Sequence, residues 1–242
     1  MKKILSSVGI GSASVDTILP KTTLHPGETV EATVEIAGGS SEQEIDDIYF
    51  ALMTRYRTED GYRDAVLDKF RVGENFTIGE GERREETVEI TIPYSAPLTM
   101  GNVKVWVKTG LDIDWAVDPK DTDHVDVRAD DRMRALFDAV EELGFSFYSA
   151  EVEKAPFGHS QPFVQEFEFK PRGGEFRGEL DELELICAPG PDAVDVIVEV
   201  DRRGGLLSEW AETDESRDRL HITTADSARI RGNLESLVRK HA

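Results

Sequence analysis

The side chains that could do chemistry are few, and their spacing argues against a reaction centre. The run Asp118-Pro119-Lys120-Asp121-Thr122-Asp123-His124 is the densest group of possible metal ligands. Alternating oxygens of this kind suit a hard cation such as calcium. A calcium loop also needs a turn glycine and a closing bidentate glutamate, and the run has neither. It reads instead as a polar turn between edge strands. The five histidines, at positions 25, 124, 159, 221 and 241, form no spaced pair. Cys187 alternates with Leu183 and Leu185, which makes it a small core residue and not a nucleophile. No nucleophile elbow, phosphate loop, zinc-protease helix or dinucleotide fingerprint occurs. The expectation is a protein that is not an enzyme, with no catalytic residue, metal ion or cofactor.

Recognition chemistry is better marked. In Lys104-Val105-Trp106-Val107-Lys108 the valines take one face of a strand, so Trp106 lies on the other between two lysines. An exposed aromatic beside cations marks a contact surface. The competing reading is a Trp106 covered by the other domain or by a helix. Ile45-Asp46-Asp47 reads as a polar strand edge, where charges deter strand addition.

Those short runs sit in a chain that alternates almost from end to end. Val30, Ala32, Val34 and Ile36 alternate with Glu31, Thr33 and Glu35, and Val194, Val196, Val198 and Val200 with Asp195, Glu199 and Asp201. Period two builds half-buried strands, which pack as antiparallel sheets. The first half reads as strands at 12–19, 28–37, 45–58, 62–73 and 84–92, one through Val103, Val105 and Val107, and short ones near 111–117 and 123–128. Frequent turns, such as Pro26-Gly27 and Asp60-Gly61, predict a β-sandwich over 1–128. The period then changes. Met133, Leu136, Phe137, Val140 and Leu143 share one helical stripe, capped by Asp130 or Asp131 and stopped by Gly144, giving a connecting helix over 129–144. A second β-rich domain follows over 145–242, with Phe163, Phe167 and Phe169 on a core face. It includes a short helix near 206–210 and a strand at 220–222. A closing helix over 224–240 has Thr224 as cap and Ala228, Leu234, Leu237 and Val238 inward.

Composition limits the partners. The chain carries 49 acidic and 28 basic residues in 242, a net charge of −21 spread over both halves. A dense carboxylate surface suits a cytosolic protein of a salt-loving organism, where ions screen its self-repulsion. An acidic surface made for a basic partner is the alternative. Either way a phosphate backbone is repelled, and no nucleic acid is expected. One cysteine excludes an internal disulfide framework and fits a reducing compartment. The charged start is broken by Ser6, Ser7, Gly9, Gly11 and Ser12 before an apolar core forms, and no run approaches the ~20 apolar residues of a membrane span. A cytoplasmic protein with no transmembrane segment is expected.

The chain resembles one family, the sporulation-control protein M family, and its acidity reads as that of a haloarchaeal member. Matching stretches include Ser7-Val8-Gly9-Ile10-Gly11, Glu44-Ile45-Asp46-Asp47-Ile48-Tyr49, and Lys104-Val105-Trp106-Val107-Lys108-Thr109-Gly110-Leu111-Asp112-Ile113. They continue in Asp118-Pro119-Lys120-Asp121, Ala139-Val140-Glu141-Glu142-Leu143-Gly144-Phe145 and Pro162-Phe163-Val164-Gln165-Glu166-Phe167-Glu168-Phe169. The resemblance implies a mainly β fold of arrestin-like antiparallel β-sandwiches. It implies a non-catalytic cytosolic regulator acting through other proteins, associated in spore formers with the control of sporulation. It marks Ile45, Asp46 and Asp47, Lys104, Trp106 and Lys108, and Asp118, Lys120 and Asp121 as surface candidates for a partner. A homodimer is left open. The alternative, a small-ligand-binding sandwich, needs a concave pocket with converging polar groups.

Overall fold

Period-two alternation is what the backbone follows through most of the chain. The computed structural model describes residues 12–72, 75–113, 120–155, 161–202 and 217–241. They fall into two units. The first draws on the chain up to Arg55, on Asp64–Ala96 and on Lys104–Val127; the second on Tyr56–Arg63, Pro97–Val103 and the chain from Arg128 onward.

The strands of the first unit are β1 (Ser14–Ile18), β2 (Thr23–Leu24), β3 (Thr29–Ala37), β4 (Gln43–Thr58, whose last residues belong to the second unit), β5 (Gly61–Val72, whose first residues do too), β6 (Phe76–Ile78), β7 (Arg83–Thr91), β8 (Val105–Ile113) and β9 (Lys120–Val127). One antiparallel sheet has the order β1-β3-β7. In the other, β4 pairs with β5 and β6 on one side and with β8 on the other, β8 pairs with β9, and β2 joins β9 in parallel. Val15, Val34 and Ile36 of the first sheet and Phe50, Leu52, Val107 and Leu111 of the second are all buried, because alternate residues of each strand share a face.

Two expectations change here. The separate strands near 103–107 and 111–117 are one strand, β8, since Val105, Val107, Thr109 and Leu111 keep a single alternation across Gly110. Gly110 does not break it: the Tyr49 ring lies over the glycine, where an added Cβ would collide with it. Positions 114–117 lie outside the described residues. The polar turn expected at 118–124 is, from Lys120 on, the strand β9, because Asp121 and Asp123 alternate inward like apolar residues.

The second unit holds α1 (Asp131–Glu142), β10 (Phe145–Lys154), β11 (Phe163–Pro171), β12 (Leu180–Pro189), β13 (Val194–Arg202), β14 (Arg217–Ile222) and α2 (Ser227–His241). Its strands run antiparallel in the order β10 to β14, and Arg57 makes one parallel bridge to Glu153. Both helices pack on this sheet and on each other, so α1 is built into the unit's core. The Asp130 carboxylate caps α1, accepting from the Met133 N–H at 2.8 Å, and Gly144 ends it at φ 91°. Phe137 stacks on Phe167 and Phe169, with centroids 5.1 and 5.9 Å away. The four valines of β13 are at most 3% exposed and contribute about 1.5–3 kcal/mol each before entropy is counted.

α2 differs in detail from the expected helix. It is capped by Asp226, whose carboxylate accepts from the Arg229 N–H, while Thr224 Oγ1 accepts from the Asp226 N–H. This later start puts Ile230, Leu234 and Val238 inward at four-residue intervals, leaving Ala228 exposed and Leu237 half-buried. The short helix expected at 206–210 lies outside the described residues. No helix among the described residues is long and apolar enough to cross a membrane.

Candidate functional site

The outward face of the first unit's β4–β8–β9 sheet is where recognition chemistry gathers. Register aligns Met53, Trp106 and His124 in one row, Ala51, Lys108 and Thr122 in the next, and Tyr49, Gly110 and Lys120 in a third. Lys104 sits just before β8, where its carbonyl accepts from Thr54 Oγ1 at 3.0 Å. Trp106 is half-buried. The Arg55 guanidinium lies 6.0 Å from its ring centroid and the His124 ring meets it edge-on at 6.5 Å. Arg55 is itself held by Asp64 at 2.7 Å. Lys104 and Lys120 are exposed, and neither Lys104 nor Lys108 has an ion pair among the described residues. Among the described residues, Arg55 and His124 lie against the Trp106 ring.

The other candidates scatter. Ile45 is wholly buried, opposite Ile113 and Phe76, and is a core residue, which corrects its place on the surface. It does not mark a strand edge either, since β4 is paired on both sides there. Asp47 pairs with Arg71 at 2.9 Å, and Asp46 accepts from Asn75 at 3.3 Å. Lys120 joins the Trp106 face. Asp118 lies outside the described residues.

Asp121 is buried and points inward, which removes it too from the surface. Its carboxylate accepts the Thr17 backbone N–H at 2.8 Å, and the hydroxyls of Thr17 and Thr109 lie 2.6 Å apart beside it. These bonds fasten strand β1. Burial, together with a hydrogen bond to Asp121 and the charge of Asp16, pushes the neighbouring Asp123 carboxyl up to about 7. Its Oδ2 is enclosed without a hydrogen-bond partner. Paired carboxylates of this kind can share a proton, but one member is committed to holding a strand. The pair acts as a clasp. Alternation in Asp121-Thr122-Asp123 could have revealed it, had the acids been allowed to face inward.

A second group, missed in the sequence, covers the outward face of the second unit. Glu168, Glu184 and Glu199 stand side by side across β11, β12 and β13, and Glu151 faces Glu166. The row is held at its ends by Ser149 Oγ, which donates to Glu168 at 2.8 Å, and by Arg217, 2.7 Å from Glu199. Lys170 adds an ion pair to Glu168 at 3.0 Å, and Arg57 pairs with Glu151 and Glu153. Desolvation, reinforced by these neighbouring charges, pushes Glu166 and Glu184 up to about 7. Cys187 faces Val196 on the core side, and burial pushes its thiol up to about 12, which keeps it from acting as a nucleophile near neutral pH.

Comparison with known proteins agrees with this architecture. The family described as SpoOM protein matches over residues 1–204. The sporulation-control protein spo0M of Bacillus subtilis is 43% identical over 216 residues, which cover 87% of this chain and 84% of that protein. The crystal structure of Spo0M from Bacillus subtilis aligns with a TM-score of 0.89 and 38% identity, covering 96% of this chain and 100% of the other. At that likeness the fold is shared, mainly β and arrestin-like. The chain belongs to the Spo0M family of sporulation-control proteins.

Proposed function

We propose that the protein is a non-catalytic cytoplasmic regulator that works by docking other proteins, and that it holds them on the face around Trp106. The supporting observation is the juxtaposition of Trp106 with Lys104, Lys108 and Arg55 on one outward sheet face, an aromatic anchor ringed by cations. The relative from Bacillus subtilis is named for sporulation control, which supports a regulatory role for this chain. The net charge of −21 supports a salt-rich cytosol as its setting, so the process regulated need not be sporulation. The two carboxylate groups fit this reading, because each is engaged in holding strands or repelling its neighbours. The test is recovery of partners from native cytosol at its working salt, with wild type and Trp106→Ala compared. The variant should fold normally, by circular dichroism, and lose partners that wild type retains. A folded variant that keeps every one of them overturns the placement.

A further inference from the structure

The face around Trp106 reverses the sign of the rest of the protein. Alternate positions 49–55 of β4, Lys104 with 106–110 of β8, and 120–124 of β9 put eleven residues on this side of the sheet, Ala51 and Gly110 buried among them; four are Lys or Arg and none is Asp or Glu. At the chain's own frequencies, 49 acids and 28 bases in 242, eleven positions would hold about two acids and one base. Three of the chain's ten lysines lie here: Lys104, Lys108 and Lys120. Acids resume at the rims with Asp47, Asp126 and Asp64, the last pairing with Arg55 at 2.7 Å, so Lys104 and Lys108 carry the positive charge that has no ion pair among the described residues.

Resting on the docking reading above, we infer that this face takes an acidic segment of a partner protein, anchored by an apolar side chain against Trp106 and Met53. At physiological ionic strength charges are screened beyond roughly 8 Å, so contact between a carboxylate and Lys104 or Lys108 depends on this patch more than on the whole −21. Carboxylates that reach the lysines gain charge-assisted hydrogen bonds, while the half-buried indole offers the anchor typical of an energetic centre. Size selects the class of partner. Three strands about 4.8 Å apart, read over the six residue steps of about 3.3 Å from 49 to 55 and from 104 to 110, give a patch of roughly 10 by 20 Å. One extended segment or one short helix fits that area. A nucleic-acid duplex or an anionic bilayer is broader, and would press its charge against the acidic rims and beyond.

The test is fluorescence anisotropy with labelled dodecapeptides of alternating Glu and Leu, and of alternating Lys and Leu, at one fixed ionic strength. A single-stranded thymidine 20-mer and phosphatidylglycerol vesicles serve as the competing anions. The Glu–Leu peptide is expected to bind at least tenfold tighter than the Lys–Leu peptide and tighter than either competitor. Lys104→Glu with Lys108→Glu should weaken it at least tenfold, while Lys104→Arg with Lys108→Arg should hold it within about twofold. Preference for the Lys–Leu peptide, for the 20-mer or for vesicles overturns the inference. So does charge reversal without effect in a protein of unchanged circular dichroism, or no binding of the Glu–Leu peptide at millimolar concentration. If Trp106→Ala loses native partners while charge reversal does not, docking at this face stands and its acidic preference falls.

Discussion

Glu166 gives the sharpest test of the electrostatics. It sits on the outward face of β11, opposite Glu151, with Glu153 and Glu199 raising its pKa and Arg217 and Arg57 opposing them. Burial is the larger cause, and together they lift the carboxyl from 4.5 to about 7. Below pH 4.5 both folded and unfolded chains carry the proton, so the shift costs nothing. Between 4.5 and about 7 the folded form keeps a proton that the unfolded chain has released, so stability falls as pH rises, by about 1.4 kcal/mol per pH unit. The full span amounts to about 3 kcal/mol lost above pH 7. Water reaching the sheet face screens part of that, leaving about 2 kcal/mol. Glu166→Gln keeps the shape and removes the charge. The variant should match wild type near pH 4.5 and exceed it by about 2 kcal/mol at pH 8.5. Urea unfolding followed by far-ultraviolet circular dichroism, at both pH values and constant ionic strength, reads the difference. Equal separation of wild type and variant at the two pH values refutes the reasoning, as does a variant less stable than wild type at pH 8.5.

Two further outcomes follow from the same physics. Gln165 is buried on β11, where its amide accepts from the Leu98 N–H at 2.7 Å and donates to the Leu98 carbonyl at 2.8 Å. The Leu98 carbonyl also accepts from the Met100 N–H at 2.8 Å, so Gln165→Leu strands the Leu98 N–H alone and should cost about 1–3 kcal/mol in urea unfolding; a loss under about 0.5 kcal/mol shows that water or movement of residues 97–103 satisfies it. The carboxylate excess predicts that raising potassium chloride from about 0.1 to 2 M lifts the melting temperature by roughly 10 °C, measured by scanning calorimetry. An unchanged melting temperature counts against a salt-adapted protein.

How much was legible depends on whether the residue obeyed its neighbourhood. Val194 to Val200 gave their strand because alternation and burial agree there, and Asp130 to Gly144 gave a helix because cap, stripe and stop all coincide. Trp106 is placed outward by parity alone; the flanking Val105 and Val107 are buried and Trp106 is half-buried, in register with Met53 and His124. Polar side chains placed inside account for what the pattern missed at Asp121 and Gln165. Asp121 faces inward to take the Thr17 N–H, a bond spanning 104 residues, and Gln165 does so to hold Leu98, 67 residues away. Hydrophobic pattern cannot report such bonds, because the favourable energy comes from a backbone group brought in from elsewhere in the chain. Ile45 failed in the opposite sense. Two following aspartates suggested an edge, but the bulge between Ile45 and Asp47 turns the first residue inward and the acids out.

The two outward faces also separate what holds the protein together from what it can hold. Inward positions of both units carry the same Val, Leu, Ile and Phe, so the core gives each unit its fold and no identity. Outward, the first unit sets lysines around a tryptophan, whereas the second sets Glu168, Glu184 and Glu199 in one row. Like charges directly opposite one another weaken a sheet, and a sequence shaped only for stability would replace the middle one. Glu184 has no cation partner among the described residues, which leaves its cost to be met by proton uptake or by salt. Under the proposed docking, salt screening would likewise shorten the reach of the repulsion between a −21 chain and an acidic partner and leave contact chemistry at Lys104, Trp106 and Lys108 to set the preference.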